Sequence, residues 1–272
     1  MALTRFQRVV CRLLAGNRIR SGESYVAGGA ALNELLHAPR RSRDIDLFHD
    51  TGQALAASWK SDRELLEADG LAVSVVRERP TFVEAEVRKG ADAVVIEWAR
   101  DSTYRFFPLV RHDELGLVLH PFDLATSKVL ALVGRVEPRD FVDTLTCDRE
   151  VQPLGYLAWA ACGKDPGWSP AAILEQAARS ARYADAELRG LDFEGEAPRA
   201  SDLSRRWRSA LEAARVVTAL LPAPKAGRAV MVKDGGLFRE GVAALRDALS
   251  AGRLAFHEGS IGGAFPRVLP TR

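Results

Sequence analysis

Two aspartates one residue apart, Asp44 and Asp46, are the side chains here whose spacing most directly implies chemistry. They lie in RRSRDIDLF, where polar and apolar residues alternate as in a strand. Ser42, Asp44 and Asp46 therefore share one face, while Ile45 and Leu47 face a core. Carboxylates this close raise each other's pKa unless something neutralises them. A divalent cation does so, and Mg²⁺ is typically held by one or two carboxylates together with waters and substrate phosphates. Upstream, Gly28 and Gly29 precede Leu32, Leu35 and Leu36, whose spacing predicts a helix. Glycines admit close backbone approach to a ligand, and the first N–H groups of a helix, with its dipole, favour an anion. The loop between, HAPRRSR, puts Arg40, Arg41 and Arg43 beside the acids. Those arginines either hold triphosphate oxygens or simply offset the carboxylates.

A second group of charges lies in HPFDLATSKVLALVGRVEPRDFVDTLTC. Lys128 and Arg135, seven residues apart, share a helix face; Pro138 restarts the chain as a new helix on which Asp140 and Asp143 share another. Read from the residues alone, this is two cations and two anions on adjacent helices, or a salt-bridged pair of surface helices.

Gly-Gly followed after a gap by Asp-x-Asp resembles the signature of the nucleotidyltransferase superfamily that includes DNA polymerase beta. GGAAL…RRSRDIDLF resembles more closely the AbiEii group, nucleotide-transferring toxins of abortive-infection and toxin–antitoxin systems, and is similar to the MenT toxins. The Lys, the Arg and Arg139-Asp140-x-x-Asp143 match that group's second motif in order and spacing. The resemblance implies an α+β, polymerase-beta-like nucleotidyltransferase domain with a mixed sheet over residues 1–120, followed by an all-helical domain over 121–272. It implies a catalytic set of Asp44, Asp46, Lys128, Asp140 and Asp143. Gly28, Gly29, Arg41, Ser42, Lys128 and Arg135 would hold the nucleotide, and Asp44, Asp46 and Glu97 the metal, with two Mg²⁺ ions possible. Lys128 would contact phosphates, and Asp140 or Asp143 would organise the site. The family places an Asp where this chain has Glu97, in VVIEWARD, which leaves open whether Glu97 completes a second metal site or only sits near it.

The activity implied is Mg²⁺-dependent transfer of a nucleoside monophosphate from a nucleoside triphosphate to tRNA 3′ ends, countered by a cognate antitoxin, a DNA-binding regulator encoded nearby. Two other readings stay open. One is a small-molecule or protein nucleotidyltransferase, antibiotic-modifying or AMP-adding; the other is a nucleotide-binding regulator that does not catalyse.

The elements that must position these residues are legible in order. An amphipathic helix runs from Thr4 to Ala15, strands cover Tyr25–Ala27 and Arg43–Phe48, and a helix covers Gln53–Asp69. Strands follow at Leu71–Arg77, Thr81–Arg88 and Ala91–Trp98, punctuated by Pro80 and Lys89-Gly90. Strand, helix, strand and then a meander suits a mixed sheet. Beyond Arg149, helices are predicted at Leu154–Cys162, Pro170–Arg182 and Ala200–Leu221, and the glycines of KDGG and GSIGG read as turns. In the last of these helices Arg205, Arg208 and Arg215 lie away from the apolar stripe, either as a solvated face or as a track for an RNA backbone.

Composition bounds the rest. At 272 residues, with 47% hydrophobic and 27% charged residues, the chain is globular material with room for one large or two modest domains. A net charge of +2 argues against a polycation that coats nucleic acid. Cys11, Cys147 and Cys162 are far apart and odd in number, as reduced thiols are, and no histidine stands at zinc spacing. With no run long enough to span a bilayer and an N-terminus broken by arginines, the expectation is a cytoplasmic protein without membrane contact.

Overall fold

The computed structural model describes residues 3–179 and 182–266. Its first helix, α1 (Arg5–Ser21), opens on a capping box: the Thr4 hydroxyl accepts the Gln7 N–H at 3.1 Å, and the Gln7 side-chain oxygen accepts the Thr4 N–H at 2.8 Å. It closes on Gly22, in the left-handed conformation. β1 (Ser24–Ala27) runs directly into α2 (Gly28–Leu35), then come β2 (Asp44–His49) and α3 (Gly52–Ala68). The meander follows as β3 (Ala72–Arg79), β4 (Phe82–Lys89) and β5 (Asp92–Arg100), each within two residues of its expected bounds at both ends. After a short strand, β6 (Tyr104–Arg105), a hairpin of β7 (Val110–His112) and β8 (Gly116–Val118) completes the sheet strands.

Seven strands form one mixed sheet in the order β3-β4-β5-β2-β1-β8-β7. β2 lies at its middle, antiparallel to β1 and parallel to β5. Its alternation is physical: Ile45, Leu47 and His49 are buried, while Asp44, Asp46 and Phe48 are half-buried. A one-residue slip would expose Ile45 and Leu47, each worth about 2 kcal/mol of burial, and push both aspartates into the core. The apolar residues of β2 thus fix where its acids point.

The rest of the chain begins with α4 (Pro121–Arg135), α5 (Pro138–Glu150), α6 (Leu154–Ala161), α7 (Pro170–Arg179), α8 (Asp185–Arg189) and α9 (Ala200–Leu220). β9 (Ala229–Val232), α10 (Val242–Ser250), β10 (Leu254–His257) and β11 (Ser260–Ile261) follow. The expectation of an all-helical second part is therefore corrected. β9 pairs antiparallel with β10, and β11 with β6. These strands are two to four residues long, too short for a period to register, and β9 and β10 find each other only across α10. β9 and β10 pack on a core of Tyr156, Trp159, Val217, Leu221, Val230, Phe238, Leu245 and Ala248. KDGG is a turn, as expected, with the Gly235 N–H on the Val232 carbonyl.

Among the described residues the chain forms two compact units. The first comprises the residues up to Thr103 together with Leu109–His120 and Asp192–Gly195; the second comprises Tyr104–Pro108, Pro121–Leu191 and the residues from Glu196 onward. In the second, the buried Asp123 carboxylate accepts the Phe106 and Phe107 N–H groups at 2.9 and 3.0 Å and pairs with Lys164 at 2.9 Å, so the Tyr104–Pro108 stretch is bonded to the start of α4. No helix among the described residues is long and apolar enough to cross a membrane.

Candidate functional site

In the first unit the Gly-Gly turn, the basic loop and β2 meet. Gly28 has φ +63°, and a Cβ placed on it would stand 1.6 Å from Asp46 Oδ2, so the space a side chain would take is filled by that carboxylate. A Cβ on Gly29 would stand 2.6 Å from Arg40 Nη2 and 3.0 Å from Ser42 Oγ. The two glycines are thus required first by the protein's own polar side chains, which crowd onto the opening turn of α2. Ser42 Oγ in turn donates to Asp44 Oδ1 at 2.7 Å, and Gln7 Nε2 donates to the Ser42 carbonyl at 2.8 Å. One acid is seated on the helix start and the other is held by a buried serine.

Of the loop arginines, the buried one is Arg40, 4% exposed, whose Nη1 donates to the Arg41 carbonyl at 2.9 Å. Arg41 leans the other way, 4.0 Å from the Asp192 carboxylate. The loop main chain is clamped by the distant segment Asp192–Gly195: the Arg41 N–H donates to the Asp192 carbonyl at 2.8 Å, the Glu194 N–H to the Pro39 carbonyl at 2.7 Å, and Arg40 bridges Phe193. Arg40 is therefore the arginine packed against Gly29 and Ser42, while Arg41, the one the resemblance implies for the nucleotide, lies by Asp192.

Register places Glu97 of β5 opposite Asp46 of β2, and Glu84 of β4 opposite Glu97. Asp46, Glu97 and Glu84 form a row across three strands, with Arg77 Nε 3.9 Å from Glu84 Oε2 at its far end. Glu84 is a half-buried position of an alternating strand. Among the described residues no three His, Cys, Asp or Glu side chains converge as a ready metal site. Two carboxylates seated beside a helix start, with the remaining positions left to water and phosphate, suit Mg²⁺; a caged ion such as structural zinc needs four protein ligands.

In the second unit the other motif closes on itself. Lys128 Nζ lies 3.0 Å from Asp140 Oδ1 and 3.0 Å from Asp143 Oδ2, and Arg135 Nε lies 2.6 Å from Asp140 Oδ2. Both aspartate side chains are 0% exposed and that of Lys128 is 8% exposed, so these are not the pairs of a surface helix face. Their two positive and two negative charges sum to zero, as burial demands. Burial works to raise the Asp140 pKa, but the Arg135 hydrogen bonds and the nearby Lys128 charge outweigh it and hold that carboxyl below its ordinary range. The turn that brings α5 back to α4 is tight: Val136 sits at φ +53°, left-handed for a β-branched residue, just before Pro138 opens α5.

The three cysteines are free thiols, with burial pushing Cys11 up to about 11, which leaves it unreactive at neutral pH.

No protein-family model matches the sequence, and no curated protein matches it. Among solved structures, the chain is similar to MenT4, a nucleotidyltransferase toxin from Mycobacterium tuberculosis H37Rv. The likeness covers 80% of this chain and 84% of that one, with a TM-score of 0.52 and 14% identity. It is also similar to an H. pylori protein proposed to be a nucleotidyltransferase, over 80% of this chain and 96% of that one, with a TM-score of 0.50 and 12% identity. At such identities the likeness is one of fold alone: the chain shares the fold of these two proteins.

Proposed function

We propose that this chain is a Mg²⁺-dependent nucleotidyltransferase that moves a nucleoside monophosphate from a nucleoside triphosphate to the 3′ end of tRNA and acts as the toxin of a toxin–antitoxin pair. The observation that carries the reading is the Asp46 carboxylate filling the missing side chain of Gly28, with Asp44 beside it on the serine: paired acids seated on a helix start. The nucleotidyltransferase fold supports it independently.

Asp44 and Asp46 would hold Mg²⁺, with Glu97 a third candidate, and the bound ion would neutralise triphosphate charge and lower the pKa of the attacking hydroxyl. α2 begins at Gly28, beside the Asp46 carboxylate, and the first N–H groups of a helix suit phosphate oxygens. In the reaction the acceptor hydroxyl bonds to the α-phosphorus, the bond to the β-phosphate oxygen breaks, and pyrophosphate leaves. By the resemblance, Lys128 would contact phosphates, Arg135 would contact the nucleotide, and Asp140 or Asp143 would act as an organising acid. The toxin role follows the similarity to MenT4; a cognate antitoxin, a DNA-binding regulator encoded nearby, and a cytoplasmic setting go with it.

The test is incubation with each labelled nucleoside triphosphate, Mg²⁺ and total tRNA. Label should enter tRNA with release of pyrophosphate, and neither Asp44→Asn nor Asp46→Asn should transfer it, although both melt like the wild type. Label appearing in a small molecule or a protein would instead mean an antibiotic-modifying or AMP-adding enzyme, and binding without transfer a regulator. Near-normal transfer by either variant would remove the metal assignment.

A further inference from the structure

The two ends of one amide link the start of the chain to the acids of β2. Gln7 is 3% exposed, and its Oε1 accepts the Thr4 N–H at 2.8 Å, which is half of the capping box that begins α1. Its Nε2 points the other way and donates to the Ser42 carbonyl at 2.8 Å, thirty-five residues along the chain. Ser42, itself 5% exposed, donates its hydroxyl to Asp44 Oδ1 at 2.7 Å. Thr4, Gln7, Ser42 and Asp44 are thus one hydrogen-bonded series running from a helix cap to a carboxylate.

From this we infer that Gln7 is a positioning residue for Asp44, acting through Ser42; the inference rests on the nucleotidyltransferase reading above. A helix cap alone does not need an amide. The cap uses only an acceptor oxygen, which glutamate supplies equally well and which the capping box uses interchangeably. The extra donor is used on the Ser42 main chain, and it fixes the peptide plane from which the serine hydroxyl reaches the acid. Groups that orient a metal ligand from behind typically change metal affinity or activity about ten- to a hundredfold when removed.

That division of labour supplies the test. Gln7→Glu keeps the acceptor for Thr4 and loses the donor to Ser42, placing a carboxylate against that carbonyl; Gln7→Met keeps the bulk and loses both. Full-length wild type and both variants are assayed for transfer against Mg²⁺ concentration. The rise in melting temperature given by Mg²⁺ with nucleoside triphosphate is also measured, a readout that needs no turnover. The expected result is a rise of roughly tenfold in the Mg²⁺ needed for half-maximal rate in both variants, and a smaller melting shift from the same ligand, with α1 intact by circular dichroism in Gln7→Glu. An unchanged Mg²⁺ requirement in both variants, with rates falling only in proportion to the folded fraction, would reduce Gln7 to a cap and overturn the inference. If the wild type itself neither transfers nucleotide nor gains stability from Mg²⁺ and any triphosphate, the reading beneath falls first and takes this one with it.

Discussion

At the residue scale, the two motifs differ in what their side chains are doing before any ligand arrives. Asp44 and Asp46 are half-buried on a strand whose hold on the core belongs to Ile45 and Leu47. Lys128 is the shared cation of two carboxylates that are fully buried. Removing an ammonium from such a cluster leaves charge in the interior, which costs about 3–5 kcal/mol. Lys128→Met should therefore lose stability of that order in chemical denaturation, whereas Asp44→Asn should stay within about 0.5 kcal/mol of the wild type. A Lys128 variant of unchanged stability would show that the buried pairs do little for the fold. Loss of activity on changing Lys128 consequently says less about catalysis than the same loss at Asp44. The sequence made Asp44, Asp46, Gly28 and Gly29 legible because strand alternation and a Gly-Gly turn are local patterns. It did not reveal that Gly28 is required by Asp46, or that Arg40 rather than Arg41 packs on Gly29, because both depend on contacts between segments apart in the chain.

At the element scale, periodicity carried most of the fold. The long helices and the meander of β3, β4 and β5 repeat their pattern over eight residues or more, enough for an apolar face to declare itself. β9 and β10, with four residues each, did not, nor did the return of Asp192–Gly195 to the Pro39–Arg41 loop, which is held by main-chain bonds that no side-chain pattern encodes. The α4–α5 connection shows the opposite case, a local device that goes against local preference. Val136 is 42% exposed, so little burial keeps it there, yet it sits at φ +53°, where a β-branched residue is strained by about 1–3 kcal/mol. The turn is what lets α5 fold back so that Asp140 and Asp143 reach Lys128. Val136→Gly, which removes the strain at some cost in unfolded-chain entropy, should raise stability by about 1 kcal/mol. A drop in melting temperature for that variant would mean that the exposed valine makes contacts worth more than its strain.

For the whole molecule, the two units carry titrating groups whose shifts fall in different pH windows, and that predicts how the chain yields to acid. In the first unit His49 is fully buried at the end of β2, and burial pushes its imidazole below the ordinary value of 6.5, only partly opposed by the Ala99 carbonyl at 3.2 Å and by the Asp62 charge. A histidine with a depressed folded pKa binds its proton more readily once unfolded, so the stability it contributes is complete above 6.5 and is lost as pH falls below that value. In the second unit Asp140 is held below its ordinary 3.8, so its contribution persists down to that value and is lost only beneath it. Between about pH 6 and pH 4.5 the first unit should therefore weaken while the second holds. Tryptophan fluorescence can follow the two separately in Trp→Phe variants that keep the tryptophans of one unit at a time, since Trp59 and Trp98 meet edge to face in the first unit and Trp159 and Trp207 are buried in the second. Denaturation at pH 5 should show the Trp59–Trp98 signal moving to lower denaturant than at pH 7, with the other nearly unmoved, and His49→Gln should flatten that difference. Coincident transitions at both pH values would mean that the units unfold as one cooperative body, and a first-unit transition indifferent to pH would mean that His49 pays nothing for its burial.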